Sequence, residues 1–121
     1  MMKRMALLLV ALLAASQFSL AAPVGQAPLA VNAEARGTPS CGEWVAHRKK
    51  SDTLSLSNTS WLVGYLSGLA VGTGKDFLPG TDNSAIFSFM DKYCAANPLK
   101  DVSSGGLALM AGIMAKKGGH R

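Results

Sequence analysis

Few residues in this chain carry reactive chemistry, and their spacing limits what they can do. Two cysteines, Cys41 and Cys94, stand 53 positions apart. No C-x-x-C is present, so a thioredoxin-like redox role has no support. His47 and His120 are poorly placed to complete a zinc site with them. Cys41 follows Thr38-Pro39-Ser40, which is not the small apolar run that N-terminal lipidation needs. One disulfide is the expectation for two cysteines in an exported chain. Closing such a loop contributes about 4 kcal/mol in the chain-entropy picture. Asp76, Asp82 and Asp91 are the carboxylates that could pair for acid–base work. Asp82 stands where a helix N-cap is expected, and the other two read as surface charges. His47 adjoins the basic run Arg48-Lys49-Lys50 and is expected to be exposed, while His120 lies near the chain end. None of the serines sits in a nucleophile-elbow sequence. Gly72-Thr73-Gly74-Lys75 superficially suggests a phosphate loop. It has Leu69 where the first Gly belongs and Asp76 where Ser or Thr belongs, and it follows a helical pattern rather than a strand. No catalytic site, metal or cofactor is expected.

The elements that position these residues follow an N-terminal leader. Met1–Arg4 carries two positive charges, Met5–Ala15 is an apolar run, and Ser19-Leu20-Ala21 is a small-x-small cleavage site. Residues 1–21 thus read as a secretory signal peptide, and an uncleaved anchor is the alternative. The run is shorter than the roughly 20 apolar residues of a membrane-spanning helix. The chain has 121 residues, of which 49% are apolar and 16% charged, enough for one small globular domain and too few for two with a cleft between them. Its net charge is +5, and removal of Lys3 and Arg4 with the leader would reduce it. No basic patch with interleaved aromatics marks a nucleic-acid binder. A periplasmic or secreted location is the expectation.

Residues 22–40, rich in Ala, Pro and Gly, read as a flexible tether. Residues 41–117 read as an all-α domain of about four short helices stapled by one disulfide, and 118–121 as a frayed tail. Ser40-x-x-Glu43 is a capping box that starts the first helix, with Cys41, Trp44 and Val45 on its buried face. Asp52–Thr59, polar and serine-rich, reads as a loop. The second helix is expected from about Ser60 to Val71, with Trp61, Leu62, Tyr65, Leu66 and Leu69 as its stripe. The third spans about Asn83 to Ala96, capped by Thr81 or Asp82, with Ile86, Met90, Tyr93 and Cys94 inward. Asn97-Pro98 is expected to open the fourth, with Val102, Gly106, Leu109 or Met110, and Ile113 facing the core and Gly105-Gly106 weakening or kinking it.

Gly64, Gly68 and Gly72 repeat every four residues within the second helix. Each interior glycine costs about 1 kcal/mol against alanine, so Gly64 and Gly68 are expected at a close helix–helix approach, inside the domain or against another chain. Gly72 alternatively stops the helix. Phe87 and Phe89 stand two apart, too far round a helix to share a narrow buried face. The second and third helices, carrying Tyr65, Phe87 and Phe89, are the expected surface for a protein partner, and a homodimer stays open.

Trp61-Leu62-Val63-Gly64-Tyr65-Leu66-Ser67-Gly68, then an acidic turn, then Tyr93-Cys94-x-x-Asn97-Pro98 and a last apolar helix, resembles the Rap/Tai periplasmic immunity proteins of type VI amidase effectors. The likeness covers about Ser60–Ala115. It implies a small exported helical protein that binds and blocks a murein amidase. That family commonly carries a cysteine before the Gly-Tyr pair, where Leu62 and Val63 stand here, so Cys41 and Cys94 imply a different staple. The same segments, over Cys41–Leu109 and with both cysteines, are also similar to small exported conjugation-associated (KikA-like) proteins, which implies an accessory of a conjugation or secretion channel. Size, cysteine count and helical content are similar to HdeA-type acid-stress chaperones as well. With seven acidic residues and two histidines, an acid switch would be weak.

Overall fold

Capping chemistry sets where each helix begins. In the computed structural model, which describes residues 35–119, four helices and no strand form: α1 (Cys41–Lys50), α2 (Thr53–Thr73), α3 (Asn83–Ala96) and α4 (Val102–Gly118). The Ser40 hydroxyl accepts from the Glu43 amide at 3.1 Å and the Glu43 carboxylate accepts from the Ser40 amide at 2.8 Å, a complete capping box. Asp52, Asp82 and Asp101 cap the other three helices, each accepting from the amide three residues on at 2.8–2.9 Å. Three orphan amides in the first turn of α4 find acceptors, Val102 on the Pro39 carbonyl, Ser103 on the Thr38 hydroxyl and Ser104 on the Asp101 carboxylate, and Gly105 makes the first intrahelical bond to the Asp101 carbonyl.

The helix order around the bundle follows from which pairs touch. α1 packs on α2 and α3, and α4 packs on α2 and α3, so α2 and α3 lie across the diagonal. Trp44, Leu62, Leu66, Phe77, Met90 and Val102 fill the centre together with the two cysteines. Phe77 comes from the link between α2 and α3, and the others are inward positions that the 3.6-residue period marks on the helices. Cys41 and Cys94 form the disulfide, with Cα atoms 4.8 Å apart, tying α1 to α3.

Three boundaries differ from expectation. Asp52–Thr59 is not a loop: Thr53 to Thr59 is the first two turns of α2. Ser55 and Thr59 are buried there, on the same stripe as Leu62 and Leu66, and the Thr59 hydroxyl donates to the Ser55 carbonyl at 3.0 Å. Small hydroxyl residues that satisfy themselves on the backbone can occupy an inward face. Asn97 does not open α4 but closes α3, its side-chain amide donating to the Tyr93 carbonyl at 2.9 Å, and Asp101 takes the cap of α4. α2 ends not at Gly72 but at Gly74, whose φ of +64° is the left-handed stop that glycine accepts without strain.

The ends of the domain also shift. Residues 1–34, and with them the signal-peptide reading and most of the tether, lie outside the described residues, as do 120 and 121. The last part of the tether is built into the fold: Pro39 is buried, Ser40 bridges to Asp101, and the Arg36 carbonyl accepts from the Trp61 indole at 3.1 Å. At the other end α4 runs through Gly118, and the Gly119 amide still donates to the Ala115 carbonyl, so the frayed tail does not begin at 118.

Candidate functional site

The seam between α1 and α3 collects the chemistry of this protein. Cys41, Trp44 and Arg48 climb one face of α1, at steps of three and four residues. On α3, Cys94 and Asp91 stand one turn apart and Phe87 another turn back. The disulfide closes the seam at one end. One turn on, the Trp44 indole donates to Asp91 Oδ1 at 2.8 Å, and Arg48 donates to both carboxylate oxygens through Nε and Nη2 at 2.9 Å each. The guanidinium also lies 5.7 Å from the ring centroids of Trp44 and of Phe87. The hydrogen bonds from Arg48 hold the Asp91 carboxyl below the usual carboxylate range, and the same bonds push the Arg48 guanidinium up. Asp91 is therefore neither a free surface charge nor a general acid but the ionised half of a bidentate pair.

Outside this network runs a trench. A groove of about 480 Å³ is bordered by Val45, Arg48, Lys49, Ser51, Asp91 and Ala95. A second, of about 370 Å³, extends over the disulfide to Gly42, Ala46 and Pro98 and shares Val45, Lys49 and Ala95 with the first. The trench has small apolar walls, a lysine at its middle and a locked arginine at one end. In the sequence, Arg48-Lys49-Lys50 stands only as a basic run beside His47. The 48-to-91 pairing joins two helices, and no local pattern announces it.

The structure does not bring Tyr65, Phe87 and Phe89 together. Tyr65 is on α2, stacked on Trp61 with ring centroids 5.0 Å apart, and its ring packs on Gly106 of α4. Burial pushes its phenol up. Phe87 faces α1, its centroid 6.3 Å from that of Trp44. Phe89 stacks on Tyr93, 6.2 Å between centroids, toward the other side of α3. All three are half-buried, and Phe87 and Phe89 pack against the core. Because α2 and α3 are diagonal neighbours, the expected two-helix surface is not one patch.

Within the domain, the expected glycine approach is corrected. Gly64 and Gly68 are exposed, and a Cβ on either would meet nothing within 4 Å. The close approaches are at Gly105 and Gly106, both buried, where a Cβ would stand 2.5 Å from Met90 Sδ and 2.9 Å from Tyr65 Cε1 respectively. Gly105-Gly106 is therefore where α3 and α2 press onto α4, and the helix passes through it unbroken.

The remaining candidates are structural. His47 Nδ1 lies 3.0 Å from Asp52 Oδ2, across the α1–α2 corner. The hydrogen bond with His47, aided by the Ser55 amide, holds the Asp52 carboxyl low. Asp82 caps α3, and Asp76 borders a shallow groove near Lys75 and Met114. Among the described residues no three His, Cys, Asp or Glu side chains gather as a metal site, and no helix is long and apolar enough to cross a membrane. His120 lies outside the described residues. Searches with this chain against family models, curated proteins and solved structures return no match.

Proposed function

We propose that this is a small exported, non-enzymatic protein that works by binding another protein in the cell envelope, in the manner of an immunity or inhibitor protein. The observation that carries the reading is the α1–α3 seam. A disulfide, an indole donor and a bidentate ion pair rigidify two helices directly beneath an accessible trench. A rigid surface loses little freedom on binding, which favours recognition. The leader-like N-terminus and the disulfide support an oxidising compartment, the periplasm in a bacterium. The resemblance to Rap/Tai proteins points to a murein amidase as the partner.

A second reading, the acid-stress chaperone, is favoured by one observation. Glu43, Asp52, Asp91 and Asp101 all serve as caps or ties, with carboxyls held low by the bonds they accept. Acid would remove these supports together.

The test is affinity capture from native envelope extract with the oxidised protein purified after export. A stoichiometric murein amidase supports the immunity reading. Secretion- or mating-channel subunits would replace it with the conjugation accessory. No partner at neutral pH, with many clients at low pH, would replace it with the chaperone.

A further inference from the structure

The trench has a definite chemical character. Its walls, Gly42, Val45, Ala46, Ala95 and Pro98, are small or branched and apolar, so another backbone can come close. Along α1 it runs from Gly42 to Ser51, about 14 Å at the helical rise, room for a few residues of an extended segment or two turns of a helix. Its charge is cationic. Asp91 is spent on Arg48, and among the described residues no carboxylate pairs with Lys49, which borders both halves. The guanidinium bonds to Asp91 use Nε and Nη2. A guanidinium has five N–H groups, so the Nη1 pair and one N–H on Nη2 are left over. Arg48 is held by its carboxylate and its two aromatic neighbours, and is preorganised to donate to a further acceptor.

We propose that the α1–α3 trench is the partner-docking surface, and that it takes a protein segment bearing a carboxylate side chain, set among small or branched apolar residues, against Lys49 and Arg48. This rests on the binding-protein reading and names the chemistry of the partner. Complementary charge sets orientation and encounter rate, while the apolar walls supply the contact area. The disulfide has a part in this beyond stability. It fixes α1 against α3 one turn from the Trp44–Asp91 bond, so the two walls cannot slide.

The experiment is an amide-resolved NMR titration of the oxidised protein with a short capped peptide of alternating leucine and glutamate, and with its leucine–glutamine counterpart. The glutamate peptide is expected to move the amides of Val45, Lys49, Ser51 and Ala95. The glutamine peptide is expected to bind about fivefold more weakly, the size of one exposed ion pair. Lys49→Glu should abolish that advantage, and Lys75→Glu, at another groove, should preserve it. Equal binding of the two peptides overturns the proposal, as do shifts centred elsewhere or an advantage that survives Lys49→Glu. Phosphatidylglycerol vesicles moving these amides when the peptide does not would assign the trench to a lipid surface and overturn it too. Capture from envelope extract separates the two levels. A partner taken equally by wild type and Lys49→Glu overturns the trench and leaves the binding reading standing. A partner taken by neither overturns both.

Discussion

Gly105 on α4 lies directly against Met90 on α3: a Cβ added to the glycine would stand 2.5 Å from the methionine sulfur and 2.8 Å from the Tyr93 ring. Met90 is fully buried, so its flexible end can yield only by repacking against the core, and the Tyr93 ring closes the same side. Gly105→Ala, normally a gain in a helix, is therefore expected to destabilise the protein by about 1–3 kcal/mol through overpacking. Urea unfolding of the oxidised protein checks this.

Gly64 and Gly68 should behave in the opposite way. Both sit mid-helix with open space where a Cβ would go. Gly64→Ala and Gly68→Ala are each expected to raise stability by about 0.5–1 kcal/mol. A fall in melting temperature for either would mean that an unseen neighbour occupies that face.

The Arg48–Asp91 pair predicts a pH signature. The folded Asp91 carboxyl is held below its unfolded value, so its contribution is complete above the unfolded value, near pH 4, and is lost as the pH falls through the folded one. Asp91→Asn is expected to cost about 1 kcal/mol at pH 7, the modest figure suiting a half-exposed pair. The gap between variant and wild type should narrow as the pH falls from 7 to below the unfolded value. Paired denaturation curves at the two pH values give the sign directly.

Asp101 holds the start of α4 through the Ser104 amide and the Ser103 hydroxyl, at 2.8 and 2.7 Å. Burial alone would raise its carboxyl, but the hydrogen bonds from Ser103 and Ser104 outweigh it and keep the group low and ionised. Asp101→Ala is expected to cost about 1 kcal/mol. Hydrogen exchange should quicken first at the Ser104 amide, with α1 and α3 little affected.

Reduction of Cys41–Cys94 frees a loop whose ends are 53 residues apart, and should cost about 4 kcal/mol by the loop-entropy argument. For a domain this small that is a large share of total stability. Thermal melts with and without reductant, read against a Cys41→Ser/Cys94→Ser variant, measure it.

Much of this fold is legible where apolar period and capping chemistry agree. Ser40-x-x-Glu43 starts α1 as expected, and the stripe Ile86, Met90, Cys94 gives α3 its boundaries and its inward face. Reading fails where a residue type contradicts its position. Ser55 and Thr59 look like loop and are core, and the Thr59 hydroxyl is satisfied on the Ser55 carbonyl of its own helix. Asp101 is hidden as a cap because Asn97-Pro98, three residues earlier, has the stronger local signal. The glycines show the same limit: spacing singles out 64 and 68, yet contact falls on 105 and 106, which only the packing of α3 and α2 on α4 selects. The trench is least legible of all, since Lys49, Arg48 and Asp91 meet only once α1 and α3 are laid side by side.

The disulfide also partitions how this molecule would bear load. A pull applied between residue 35 and Gly119 reaches Cys41 and crosses to Cys94 through sulfur, so residues 42–93 carry none of it. Only the strap before α1, the link after α3, and α4 can be drawn out. Within that part, the first element strained is the hydrogen-bonded clasp of Thr38, Pro39 and Cys41 on Lys100, Val102 and Ser103. Tension would peel α4 from a core in which α1, α2 and most of α3 remain mechanically sheltered, along with the central stretch of the trench.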